Sequence, residues 1–253
     1  MSDITNLDEL LIVTHPDDFN EVKCQVKELS TLQQKNILGT VTNDTIYNTE
    51  FLETLAQIFK DNFNPSISSN NISYCARIYY TILLRSFIST TITLQSDNGE
   101  SVTINLNHVL DKLKQISELL NSSKAPLTES KYDNLHLSCH INLPRLVDEI
   151  EAEKEISSII KSNIKKDELK NIITNSFTGE LVKYVHDLKI NGEVCGYDES
   201  NYKGKWSIIE KLPASFIQQI LIQINKIKSP VDECLVDLEH NVTIPIDGTL
   251  FIL

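Results

Sequence analysis

A chain of 253 residues with 41% apolar side chains is long enough to bury one large core or two modest ones, so disorder is excluded as its default state. Its 35 acidic against 23 basic side chains give a formal charge of −12, which repels phosphate backbones and anionic headgroups and argues against nucleic acid or a membrane as partner. Five scattered cysteines form no C-x-x-C pair, and no basic leader or apolar run of about 18 residues is present, which predicts a soluble protein made in a reducing cytoplasm.

From the N-terminus, Glu21 to Leu29 alternates Val22, Cys24 and Val26 against Lys23, Gln25 and Lys27, the period of a half-buried strand. Ser30 or Thr31 then caps a short helix ending at Gly39, and Asn48 or Thr49 caps a second whose apolar face is Phe51, Leu52, Leu55, Ile58 and Phe59. Ile72 to Phe87 places Tyr74, Cys75, Ile78, Tyr79, Ile82 and Leu83 at helical intervals and reads as the central helix of the first half. Thr90 to Leu94 and Ser101 to Leu106 flank Asp97-Asn-Gly99, whose left-handed dihedrals suit a tight hairpin turn, giving a hairpin over 90–106. A helix from Asn107 to Leu120 follows, with Val109, Leu110, Leu113, Ile116, Leu119 and Leu120 on its buried side.

Asn121 to Pro126 combines breakers with small polar residues, so the expected division is 1–124 and 125–253. Beyond it Leu135, Leu137, Cys139 and Ile141 alternate with His136, Ser138 and His140 as a strand, and Pro144 starts a helix whose acidic stretch Asp148 to Glu155 reads as exposed. Lys183 to Ile190 is open between helix and strand, Asn191 to Ser200 reads as turns, and Trp206 to Leu212 as a short helix. An amphipathic helix from Pro213 to Lys228 is expected to stop at Ser229-Pro230, followed by two strand-like runs and the apolar close Leu250-Phe-Ile-Leu253. The fold class expected from these elements is α+β, with small antiparallel hairpin sheets packed against helices in two subdomains, the second ending in the helix, proline and hairpin unit.

Reactive constellations are sparse. His136-x-x-Cys139-His140 carries zinc-type ligands, but on a strand Cys139 points away from both histidines. Cys195 lies in a loop-like setting with His186 near in sequence, without geometry to make it a nucleophile. There is no G-x-S-x-G elbow and, among seven glycines, no phosphate-binding loop. Glu149 and Glu153 read as solvated surface, as does Lys161 to Lys170, whose lysines are interleaved with Asp167 and Glu168. The residues therefore predict no catalytic, cofactor or metal site.

The order of elements resembles the baseplate hub subunit and hub-assembly family of T-even-type contractile-tail bacteriophages. The matching places are the strand and helix from Val22 to Leu38, the helix from Ile72 ending in Leu84-Arg85, and the hairpin from Thr90 to Leu106. They continue with the strand from Leu137 to Pro144, the turn Gly192-Glu-Val-Cys-Gly-Tyr-Asp198, and the helix from Leu212 to Pro230. Cys234, Glu239-His-Asn241 and Gly248-Thr-Leu-Phe251 complete it, so the likeness spans almost the whole chain. The resemblance implies a non-enzymatic structural or assembly protein of the tail. Its partners would be other baseplate hub proteins, met in the host cytoplasm during virion assembly or in the finished tail. Phe216, Ile220, Ile224, Phe251 and Leu253 are then the expected interface anchors, with core packing the competing role for the helix residues. Two other classes stay open: a small cytosolic thiol- or metal-dependent enzyme using Cys195 or a pocket at His136 and His140, and an acidic adaptor or inhibitor of a host complex.

Overall fold

The computed structural model describes residues 5–6, 25–41, 49–122, 127–132, 135–162, 177–194 and 202–252. The fold is α+β, with helices and small antiparallel sheets in two compact units. Unit 1 comprises residues 1–123 and 229–253, and unit 2 residues 124–228. The expected division is a single one, at 124/125; the two units divide the chain twice, after Ser123 and again before Ser229, with the C-terminal segment grouped with the first unit.

In unit 1, helix α1 (Thr31–Val41) opens with a reciprocal cap. The Gln33 amide donates to Ser30 Oγ at 3.2 Å while the Ser30 amide donates to Gln33 Oε1 at 2.9 Å, so two otherwise orphaned donors are satisfied. Helix α2 (Thr49–Asn62) buries the predicted Phe51, Leu52, Leu55, Ile58 and Phe59. At its end the buried Asn62 amide donates to the carbonyls of Lys27 and Glu28 at 3.2 and 3.0 Å. This holds β2 (Gln25–Val26) between β1 (Thr5–Asn6) and β3 (Phe63–Asn64) in an antiparallel sheet ordered β1-β2-β3. The expected strand is shorter than its alternation implied, Lys27 to Leu29 lying beyond it, and its residues 21–24, Cys24 among them, lie outside the described residues.

Helix α3 (Tyr74–Ser86) is capped by Ser73, whose Oγ accepts from the Ala76 amide at 3.2 Å, and is buried all round from Tyr74 to Arg85. A helix without a wet face is a central one, as its sequence predicted. Phe59, Phe63 and Tyr80 meet edge to face at centroid distances of 5.4, 5.8 and 4.7 Å and form the aromatic part of this core. The hairpin pairs β4 (Thr91–Gln95) with β5 (Ser101–Asn105). Its turn differs from the one expected: only Gly99 is left-handed, at φ 80°, and its amide donates to the Ser96 carbonyl at 2.9 Å, the pattern of a three-residue loop with a terminal glycine. In α4 (Leu106–Ser122) the buried stripe runs Leu106, Val109, Leu110, Leu113 and Ser117. Leu119, two residues past Ser117, is turned about 200° away from that stripe and is 61% exposed, against its expected burial.

Unit 2 carries a four-stranded antiparallel sheet ordered β6-β7-β8-β9, built from β6 (Leu127–Tyr132), β7 (Leu135–Ile141), β8 (Val185–Ile190) and β9 (Glu193–Val194). β6 went unanticipated because Leu-Thr-Glu-Ser-Lys-Tyr has no apolar alternation, and of its described side chains only Thr128 is buried. The segment left open between helix and strand is β8, turned into β9 by Asn191 and Gly192 at φ 53° and 86°. Helix α5 (Leu146–Ser162) starts two residues after Pro144, where the Asp148 carboxylate accepts from the Arg145 amide at 2.9 Å and from its guanidinium. Its acidic stretch is not wholly exposed: Glu149 is buried. A helical turn at 177–182 (α6) and α7 (Tyr202–Ile209) complete this unit with the first part of α8 (Ala214–Glu233).

α8 does not stop at Pro230 but continues to Glu233. Proline removes the amide that would bond the Lys226 carbonyl, yet leaves the following turn free to remain helical. Beyond it lie the short hairpin β10 (Val236–Asp237) and β11 (Val242–Thr243), and a 3-10 turn at Gly248–Phe251. Three contacts explain why this segment belongs to unit 1. Tyr74 Oη donates to Asp232 at 3.0 Å, Arg85 Nε donates to the Leu250 carbonyl at 2.9 Å, and Gly248 lies against Ile37, Thr40 and Val41 of α1.

Candidate functional site

The expected anchors do not sit on a free surface. Phe216, Ile220, Ile224 and Phe251 are buried within the chain itself, and Leu253 lies outside the described residues. The spacing of Phe216, Ile220 and Ile224 marked the inward face of α8, which is the competing role the sequence offered for the helix residues. The exposed large apolar side chains of the C-terminal part are others: Ile222 at 52%, Leu238 at 86% and Ile252 at 54%.

Leu238 borders a groove of about 600 Å³ in unit 1. One wall is the hydrophilic side of α4, with His108, Lys112 and Gln115; the edge is Thr103, Ile104 and Asn105 of β5. The opposite wall is the end of α8 and β10, with Glu233, Val236, Asp237 and Leu238, and the apolar lining includes Val109, Ile116 and Ile244. The turn carrying Leu238 is fixed from below. Asp237 Oδ1 accepts from the amides of Glu239 and His240 at 3.1 and 3.2 Å, and Asn241 takes the left-handed φ of 53° that closes the loop. Asn241 Nδ2 also donates to Asp97 at 2.9 Å, tying this tip to the tip of the β4–β5 hairpin. The His240 side chain, hydrogen-bonded to Asp237 at 3.1 Å, and then the amides hold the Asp237 carboxyl below its ordinary value, so it is an anion at neutral pH.

Chemistry at this groove is subdued. Cys234 lines it, but burial raises its thiol against the opposing pull of Lys112, and its Sγ donates to the Pro230 carbonyl at 3.3 Å. Cys75 and Cys139 are pushed up to about 12, chiefly by burial, so neither is a thiolate at neutral pH. Cys195 lies outside the described residues. On β7, Leu137, Cys139 and Ile141 are buried while His136 and His140 share the other face, as the alternation required. His140 pairs across the strands with His186, and its Nδ1 lies 3.5 Å from Asp187. Among the described residues no group of three or more histidine, cysteine or acidic side chains is disposed to hold a metal.

The pair Glu149 and Glu153 departs from its expected solvation. Burial first, then the Glu180 and Glu149 carboxylates, push the Glu153 carboxyl above its ordinary value, with Lys183 pulling the other way. The buried Lys183 forms an ion pair with Glu180, three residues before it, and its charge also reaches Glu153 of α5. Tertiary contact supplied what helical spacing alone could not.

Leu238 was the residue the sequence pattern hid. A lone leucine in Asp-Leu-Glu-His-Asn lacks any period, and the one available signal was its place beside a turn between two short strand-like runs. Among the described residues no helix is long and apolar enough to cross a membrane. Comparison of the chain with protein-family models, with curated proteins and with solved structures found no match in any of the three.

Proposed function

We propose that this protein is a non-enzymatic assembly part that acts through protein contacts, and that its setting is the baseplate hub of a contractile phage tail, as a component or as an assembly factor. The observation that carries the contact reading is the groove of unit 1, where a leucine 86% exposed overhangs an aliphatic lining flanked by raised, protonated thiol chemistry. Such a surface gains by being covered, since each Å² of apolar area removed from water contributes about 25 cal/mol. The tail setting rests on the order of elements that resembles the hub family.

Expression of a tagged chain in cells producing tails, followed by mass spectrometry of co-purifying proteins and of purified particles, tests the reading. Enrichment of hub proteins with the wild-type chain, and its loss with Leu238→Glu, is the expected result. A pull-down without tail proteins overturns the setting, and retention of every partner by the Leu238→Glu chain overturns the contact surface. Presence or absence in the purified particle separates a resident component from a transient helper.

A further inference from the structure

The groove in unit 1 lies between two strand edges that have no strand partner among the described residues. β5 pairs with β4 alone and β10 with β11 alone. The lining takes Thr103, Ile104 and Asn105 from β5 and nothing from β4, and Val236 and Asp237 from β10 but nothing from β11. Consecutive residues line a groove when the edge of a strand, and not one of its faces, is turned toward it.

The hydrogen-bond phase shows which backbone groups point there. The Ser96 amide bonds the Glu100 carbonyl at 2.9 Å and the Leu106 amide bonds the Thr90 carbonyl at 2.8 Å. In an antiparallel ladder bonded pairs alternate with unbonded ones, so 94 with 102 and 92 with 104 are bonded; Thr103 directs both N–H and C=O outward and Asn105 its N–H, the Asn105 carbonyl being the first acceptor of α4. By the same count the Ile244 amide, bonded to the Leu235 carbonyl at 2.9 Å, leaves Val236 as the outward residue of β10. Two open edges therefore present main-chain donors and acceptors to one apolar trough.

We propose that this groove is a strand-addition site that takes an extended segment of a partner protein, paired main chain to main chain along Thr103 and Asn105, with alternate apolar side chains directed at Val109, Ile116 and Ile244. The segment is basic: Glu233 and the ionised Asp237 lie on one wall against the single Lys112 on the other. A second copy of the chain is a poorer occupant, because each copy carries a formal charge of −12. Strand addition draws affinity from main-chain bonds and selects alternate side chains by pocket. The inference rests on the contact reading above only in taking a protein as partner.

The test uses the full chain and a synthetic probe, an acetylated and amidated heptapeptide of alternating lysine and valine, with two controls: the same peptide N-methylated at alternate amides, and a glutamate-valine version. Saturable amide shifts in NMR at Thr103, Asn105 and Val236 are expected, with binding weakened roughly tenfold by N-methylation and further by glutamate. Thr103→Pro removes an outward amide and no main-chain bond of the β4–β5 ladder, losing across the hairpin the exposed hydroxyl contact to Thr93 at 3.4 Å, so it should give the same loss of binding with Thr103→Val, which loses that hydroxyl but keeps the amide, as the control that binds like wild type. If that variant misfolds, the N-methylated probe still decides. Absence of shifts at the three amides, or equal binding of the N-methylated peptide, overturns the proposal. Concentration-dependent shifts at the same amides without peptide overturn it in favour of self-association. Failure here leaves the co-purification experiment free to support or refute contact through another face.

Discussion

Arg85 donates from Nε to the Leu250 carbonyl at 2.9 Å and from a terminal nitrogen to the Ser89 carbonyl at 3.1 Å, so one buried guanidinium joins the end of α3 to the closing turn of the chain. Burial lowers its pKa, yet the side chain starts so high that it stays charged at neutral pH. Its planar fork reaches two carbonyls at once. Arg85→Met should therefore lower stability by about 2 kcal/mol, the usual worth of hydrogen bonds from a charged group, while Arg85→Lys recovers only part of it. Urea denaturation followed by tryptophan-independent circular dichroism measures both, and equal midpoints for wild type and Arg85→Met would show the contact to be idle.

Gly248 and Gly39 make a matched pair of opposite sign. A Cβ on Gly248 would come within 2.6 Å of Val41 Cγ2, 2.8 Å of Thr40 Oγ1 and 3.1 Å of the Ile37 carbonyl, so Gly248→Ala forces the closing turn off α1. Overpacking of this kind costs about 1–3 kcal/mol. A Cβ on Gly39, inside α1, meets nothing within 4 Å, so Gly39→Ala should stabilise by about 0.5–1 kcal/mol through helix propensity. Thermal melts of the two variants should bracket the wild type.

How far the sequence was legible depends on whether a signal was local. α2, α3 and the β4–β5 hairpin were readable because Phe51 to Phe59, Tyr74 to Leu84 and the residues around Gly99 carry their periodicity or turn chemistry within one short stretch. β6 was not, since its pairing with β7 supplies the regularity that its own residues lack. The return of the C-terminal segment to unit 1 hinges on Arg85 and Leu250, far apart in sequence, and no local pattern announces such a bond. For the site, the apolar spacing of Phe216, Ile220 and Ile224 identified a buried face correctly as apolar, while the accessible Leu238 had no period to mark it.

Cys75 should make stability fall in alkali. Its thiol is raised to about 12, mainly by burial and next by the neighbouring Cys234, against an ordinary value of 9.0. Between those values the unfolded chain has lost the proton and the folded one keeps it, so stability is full below about pH 9 and declines as pH rises toward 12, by up to about 1.4 kcal/mol per pH unit. Cys75→Ala, although less stable at pH 7 through the cavity it leaves, should show a shallower decline. Identical slopes for the two proteins above pH 9 would remove Cys75 as the source.

Glu153 acts in the same direction at lower pH. Burial, and then Glu180 and Glu149, raise its carboxyl above the ordinary value, with Lys183 opposing. A raised carboxyl means the folded state holds its proton when the unfolded chain has released it. Its contribution is therefore greatest below the ordinary carboxyl value and is lost as pH rises through the folded one. Glu153→Gln keeps the shape and a neutral head at every pH, so the variant should melt higher than wild type at pH 7 and lose that advantage in acid. Lys183 opposes the effect, because removing a cation that acts on Glu153 leaves more of the repulsion from Glu180 and Glu149 uncompensated. Lys183→Met should accordingly melt lower than wild type at pH 7, and adding Glu153→Gln to it should restore more than the same substitution gains in the wild-type background. Additive melting temperatures in this cycle would show that the two side chains do not sense one another.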